Sequence, residues 1–173
     1  ERVELKGFQD LSTMAKVVEN EIRRQQNLKE LSETKASEPM EVTKHISKDR
    51  GTAIACKLTG WKGKLGTNKS PERHIRMGRE LSDYAKKAGV QGLMHSDELP
   101  AYGISSEETK KVHQLLECKD NDAFVLVFGE KNIAEDAIGR VIERIKVNGV
   151  PKEVRRVTPD GLTRFLRPMP GAS

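Results

Sequence analysis

The chain has 173 residues, of which 35% are hydrophobic, 33% charged and 4% aromatic, enough for one generous domain or two small ones. No window approaches the ~18 uninterrupted apolar residues of a membrane span, and the opening ERVELKGFQD carries charge where a signal peptide has an apolar run. Lys and Arg number 31 against 26 Asp and Glu, a net charge of +5, which suits either a polyanionic partner or an ordinary basic surface.

Arg2 to Lys6 alternates in the manner of a strand, with Val3 and Leu5 on one face. Asp10 or Ser12 is then placed to cap a helix. Met14, Val17, Val18, Ile22, Gln25 and Leu28 fall three and four apart and predict a helix over 11–31 with those residues buried. Lys16, Glu19, Arg23, Arg24 and Lys29 make up its outer face. The pattern fades into SETKASEPME, a linker or surface loop. Thr52 to Leu58 reads as a strand, followed by a glycine-rich loop from Gly60 to Gly66. Pro71 is expected to open a helix lined by Ile75, Leu81, Tyr84 and Ala85 and closed by Gly89 in a left-handed cap. A short apolar piece, Val90 to His95, comes next. Ser105 stands three residues before Glu108, the spacing of a capping box, at the head of a helix carrying Val112, Leu115 and Leu116. Ala123 to Phe128 is the most apolar run in the chain and reads as a buried central strand. Asn132 to Val147 is amphipathic, with Ile133, Ala137, Ile138, Val141, Ile142 and Ile145 on the buried side. Val154 to Val157, Thr-Pro-Asp-Gly and Leu162 to Leu166 then predict strand, turn and strand.

The chain opens at Glu1 without methionine and closes at Ser173 without a final helix, and is expected to be a piece of a longer protein. The fold class predicted is α+β, a mixed sheet with packed helices. The expected domains are residues 1–40, a central unit over 41–148, and residues 149–173 returning to the first. The two ends are expected to lie together, because an insertion leaves and re-enters its host nearby.

Few residues suggest chemistry. Gly60, Gly63 and Gly66 with Lys57, Lys62, Lys64 and Lys69 invite a phosphate-binding reading, yet neither GxxxxGK[ST] nor GxGxxG is present. Either this is a flexible surface loop with solvated lysines or it touches a phosphate backbone. Trp61 either stacks on a base or packs beneath the loop. His95-Ser96-Asp97-Glu98 has the residue types of a hydrolytic site, but neighbours in sequence point apart and a triad converges from distant segments. The four histidines lack ligand spacing, so no metal site is expected. Cys56 and Cys118 show no CxxC spacing, which argues against a disulfide framework or structural zinc and fits a reducing cytoplasm. A second basic cluster comprises Arg155, Arg156, Arg164 and Arg167, with Arg155 and Arg164 or Arg167 expected on one hairpin face as phosphate ligands or as an exposed charged surface.

Resemblance adds what periodicity does not. ELSDYAKKAGVQGL (Glu80 to Leu93), ISSEE (Ile104 to Glu108) and DNDAFVLVFGEK (Asp120 to Lys131) resemble, in order and spacing, the insertion domain of bacterial aspartyl-tRNA synthetases. HSDELPAYGIS (His95 to Ser105) looks like the version in GatE, the tRNA-binding subunit family of the archaeal glutamyl-tRNA(Gln) amidotransferase. The flanks agree: Arg2 to Leu28 resembles the stretch closing the cradle domain of GatB and GatE, and Val150 to Ser173 resembles the return into it. A synthetase origin is disfavoured because both flanks are GatE-like. The resemblance implies an ATP- and magnesium-dependent parent enzyme that phosphorylates the γ-carboxylate of glutamate on tRNA(Gln). Ammonia from the GatD glutaminase subunit then displaces the phosphate. Glu4 and Lys6 match the family's cradle strand and are expected near the active site. The alternative is that this segment is a non-catalytic module that braces the enzyme or contacts tRNA, with no cofactor of its own.

Overall fold

A computed structural model describes residues 2–4, 11–30, 34–47, 49–66, 77–147 and 150–169. In chain order the elements are β1 (Arg2–Glu4), α1 (Leu11–Glu30), β2 (Met40–Glu41), β3 (Thr52–Leu58), α2 (Met77–Lys86), β4 (Met94–His95), α3 (Ser106–Leu115), β5 (Ala123–Gly129), α4 (Lys131–Lys146), β6 (Glu153–Val157) and β7 (Thr163–Pro168). The class is α+β, and the chain divides into two compact units.

The larger unit takes described residues 34–66 and 77–146. Its four-stranded sheet has the order β2-β3-β5-β4 and is antiparallel throughout. β5 lies between β3 and β4, and Ala123 to Val127 are fully buried. Alternation along β3 and β5 feeds both sides of the sheet. On one side, Ala53, Ala55, Phe124 and Leu126 join Val42, Ile46, Ile104, Val112 and Leu116 in a single core. On the other, α4 packs on β3, β5 and α2. Ala134, Ala137, Ile138, Val141 and Ile145 form its buried stripe, while Ile133 and Ile142 are only half-buried. The start of a helix at Pro71 and the position of Ile75 lie outside the described residues. α2 ends at Lys86, and Gly89 takes a φ of +115° three residues later, with its N–H donating to Lys86 O.

The capping box at α3 is formed. Glu108 N–H donates to Ser105 Oγ (3.1 Å), and Ser105 N–H donates to Glu108 Oε1 (3.0 Å). Glu108 Oε2 also accepts from Ser47 N–H at 2.6 Å, tying the helix start to the segment after β2.

The smaller unit takes described residues 2–30 and 147–169. Here β1 runs parallel to β6, and β6 is antiparallel to β7, so the two ends of the chain share one three-stranded mixed sheet. Helix α1 differs from the predicted face. Its buried stripe is Val17, Glu21, Arg24 and Leu28, while Val18 and Ile22 are 45% and 53% exposed. Arg24, assigned by periodicity to the outer face, is inside because it is paired. Its guanidinium donates to the Glu21 carboxylate at 2.8–3.2 Å, and a neutralised pair tolerates burial where a lone charge does not.

Candidate nucleic-acid interface

The loop after β3 carries the first candidate cluster. Gly60, Gly63 and Gly66 have φ values of +74°, +82° and +91°, a left-handed region open to glycine. Two distant carboxylates accept the loop's amides. Gly60 N–H donates to Asp122 Oδ1 (2.8 Å), Gly63 N–H to Asp97 Oδ1 (2.9 Å) and Leu65 N–H to Asp97 Oδ2 (3.1 Å). Trp61 and Leu65 are buried beneath it. The expectation of a flexible loop is therefore corrected: the loop is pinned, and N–H groups of the kind that would cradle a phosphate already serve carboxylates. Trp61 packs inward and offers no stacking face. Hydrogen bonds from Lys119 N–H and Gly60 N–H hold the Asp122 carboxyl below its ordinary range. Lys62 is exposed, Lys64 is half-buried and engaged within the protein, and Lys69 lies outside the described residues.

Within the His95 to Glu98 run, Ser96 and Asp97 are spent on structure. Ser96 Oγ accepts from Phe124 N–H (2.9 Å), and Asp97 holds the loop. His95 is buried, with Nε2 3.6 Å from Glu98 Oε2. Burial pushes the Cys56 thiol up to about 12 and Cys118 to about 11, which removes both as nucleophiles near neutral pH.

The hairpin β6–β7 carries the second cluster. A register shift between Val154 and Arg155 sets its pairing, with Arg155 opposite Phe165 and Arg156 opposite Arg164. Residues directly opposite share a face, so Arg155 does not share one with Arg164. Arg155 is 1% exposed. It donates to Glu153 Oε1 (2.7 Å), Thr163 Oγ1 (2.9 Å) and Thr163 O (2.8 Å). Thr163 Oγ1 in turn donates to Glu21 Oε2 (2.6 Å). This buried network corrects the reading of Arg155 as a phosphate ligand: all three of its donor nitrogens are occupied. Arg156 and Arg167 are exposed and Arg164 is half-buried; Arg164 and Arg167 are also engaged within the protein. Glu4 stands at the register position of Arg156 on the neighbouring strand, and Lys6 lies outside the described residues.

One further feature escaped the sequence. A cleft of 630 Å³ opens where β4, only two residues long, leaves the end of β5 uncovered. The Arg50 guanidinium lies over the Phe128 ring, 5.8 Å from its centroid, and Arg50 Nη2 donates to Tyr102 O (3.1 Å). Tyr102 is 50% exposed with φ +55°, and its hydroxyl donates to Glu98 Oε2 (3.4 Å). The visible signal was Arg50-Gly51 before β3 and an aromatic residue beside Gly103 in a turn, but nothing in the spacing joins them.

Residues 40–138, more than half of the chain, match the GAD domain. The chain belongs to the GAD domain family. The matched span covers all four strands of the larger sheet, α2, α3 and the first half of α4. Relatives extend the likeness beyond the GAD domain to the smaller unit. The glutamyl-tRNA(Gln) amidotransferase subunit GatE of Methanothermobacter thermautotrophicus is 40% identical over 188 residues, covering 99% of this chain and 30% of that protein. The GatE of Methanocaldococcus jannaschii is 41% identical over 194 residues, with the same coverage. That of Pyrococcus furiosus is 39% identical over 193 residues, covering 98% of this chain and 30% of the relative. The chain thus spans about a third of the length of these relatives. Among the described residues no helix is long and apolar enough to cross a membrane.

Proposed function

We propose that this chain is the GAD-containing part of a GatE, a tRNA-dependent amidotransferase subunit, and that within that enzyme it contacts tRNA without carrying the chemistry. The observation that carries this reading is the match to GatE across both units, at close to 40% identity over 99% of the chain. The wider reaction is amidation of glutamate on tRNA(Gln) to glutamine, in the cytoplasm, with a GatD-type glutaminase as partner. Phosphorylation of the γ-carboxylate by ATP, with magnesium, supplies the leaving group that ammonia displaces. Those cosubstrates do not fit the described residues. The glycine-loop amides are committed to Asp97 and Asp122, and among the described residues no three His, Cys, Asp or Glu side chains converge to hold a metal. Glu4 and Lys6 keep their proposed place near that chemistry through the resemblance to the cradle strand alone.

The part left to this chain is electrostatic. Lys62, Arg156 and Arg167 are exposed, and Arg156 faces Arg164 directly across the hairpin, a like-charged pair that an anion would stabilise. Lys64 and Lys69 complete the candidate set. The test is a salt titration of tRNA binding by the chain. About three phosphate contacts give a log-log slope of about −2 to −3 and little discrimination among tRNA sequences. Charge reversal of Lys62 and of Arg156 should each lower the slope. Salt-independent binding, or binding untouched by both reversals, would leave this segment a bracing role only.

A further inference from the structure

We propose that the cleft between Arg50, Tyr102 and the end of β5 is a binding site for a single unstacked nucleobase that carries an exocyclic amino group. The inference deepens the tRNA-contacting reading and rests on it for the origin of the base, but the pocket's own chemistry is testable without tRNA. Its volume, 630 Å³, falls in the range of small-ligand sites, roughly 300–1,000 Å³, and is ample for one base and its sugar. Its walls offer flat surfaces. Tyr102, a half-exposed residue, lines the cleft, and Phe128 lies under the Arg50 guanidinium. Aromatic rings and guanidinium planes are the surfaces on which single-stranded bases stack.

The charge of the cleft selects among flat ligands. Glu98 and Glu130 both line it, against Arg50 alone. The cation is already turned to the Phe128 ring and the Tyr102 carbonyl. Ionised carboxylates only accept hydrogen bonds. The cleft therefore repels phosphate and favours a neutral ring with N–H donors at its edge. Adenine, cytosine and guanine carry an exocyclic amine that a carboxylate accepts. Uracil instead flanks its one ring N–H with two carbonyl oxygens, which the same carboxylates oppose. A base read here leaves its phosphates outside the cleft.

The experiment is an NMR titration of the chain with adenosine, cytidine, uridine and adenosine monophosphate, following the amides of residues 89–94 and 126–130. Saturable shifts with adenosine and cytidine, weaker binding of uridine, and no gain from the phosphate are the expected result. Replacing a stacking aromatic weakens base binding by about tenfold, so Tyr102→Asn, which tolerates the left-handed backbone, should lose that much for adenosine. Glu98→Gln, with the ring left in place, should narrow the preference over uridine. In tRNA binding Tyr102→Asn should lower affinity and leave the salt slope unchanged, because stacking releases no counterions. The proposal is overturned by an absence of saturable nucleoside shifts, by uridine binding as tightly as adenosine, or by an unaltered Tyr102→Asn. Salt-dependent tRNA binding that persists alongside any of these results would sink the pocket and spare the wider reading. Nucleoside binding without any tRNA affinity would do the reverse.

Discussion

Asp122 shows how much of this molecule depends on single carboxylates placed far along the chain from what they hold. Its two oxygens take the amides of Gly60 and Lys119, and hydrogen bonds to a charged acceptor contribute about 1.5–3 kcal/mol. We expect Asp122→Asn to destabilise the larger unit by about 2 kcal/mol in urea unfolding, since the amide keeps one acceptor and turns a donor toward an N–H. The sign of the pH effect follows from the lowered pKa. The carboxylate's contribution is fully present above the unfolded value near 4, and is lost as pH falls through the folded value. The gap between wild type and Asp122→Asn should therefore shrink below about pH 4. Arg155 supplies the contrast in the smaller unit. Arg155→Met takes the guanidinium away from the buried Glu153 carboxylate, at a cost of about 3–5 kcal/mol. Arg156→Met, one residue on and exposed, should change stability by no more than about 0.5 kcal/mol. The thiols give a third check. With Cys56 pushed up to about 12 and Cys118 to about 11, iodoacetamide at pH 7.5 should label the folded chain far more slowly than the urea-unfolded chain.

At the scale of elements, a cap and a strand carry separable weights. The Ser105–Glu108 box closes two open donors at the start of α3, and Ser105→Ala should cost about 1 kcal/mol. Phe124→Ala, in the fully buried stretch Ala123 to Val127 of β5, should cost about 3–5 kcal/mol; thermal melts of the two variants in parallel compare the terms directly. These two elements were also among the plainest in the sequence, because their signals are local. A box is a spacing of three residues, and a central strand is an uninterrupted apolar run. The Thr52–Leu58 strand and the span of α1 were legible for the same reason. The buried face of α1 was not. Its stripe includes Glu21 and Arg24, and a periodicity built on apolar residues passes over a charged pair that is also held by Thr163, about 140 positions away in sequence. The hairpin was found from Pro-Asp-Gly, yet its faces were misjudged. A register shift beside Arg155 decides which arginine turns inward, and alternation alone fixes two faces without saying which is buried.

For the molecule as a whole, what was hidden is what joins distant segments: the carboxylates that pin the glycine loop, and the cleft where Arg50 meets Phe128 and Tyr102. Candidate contacts read from charge alone therefore lost Arg155 to the interior and kept Lys62, Arg156 and Arg167 at the surface. The proposed role of the chain is that of a non-catalytic, tRNA-contacting part of a GatE. The most direct measurement is amidation of Glu-tRNA(Gln) by a complete GatE, that of Methanothermobacter thermautotrophicus, whose matching segment is replaced by this chain and which is assembled with its glutaminase partner. Gln-tRNA(Gln) is predicted still to form, with Lys62→Glu and Arg156→Glu raising the KM for tRNA and leaving kcat unchanged. A folded, assembled chimera that forms no Gln-tRNA(Gln), or charge reversals that lower kcat and leave KM untouched, would contradict that role.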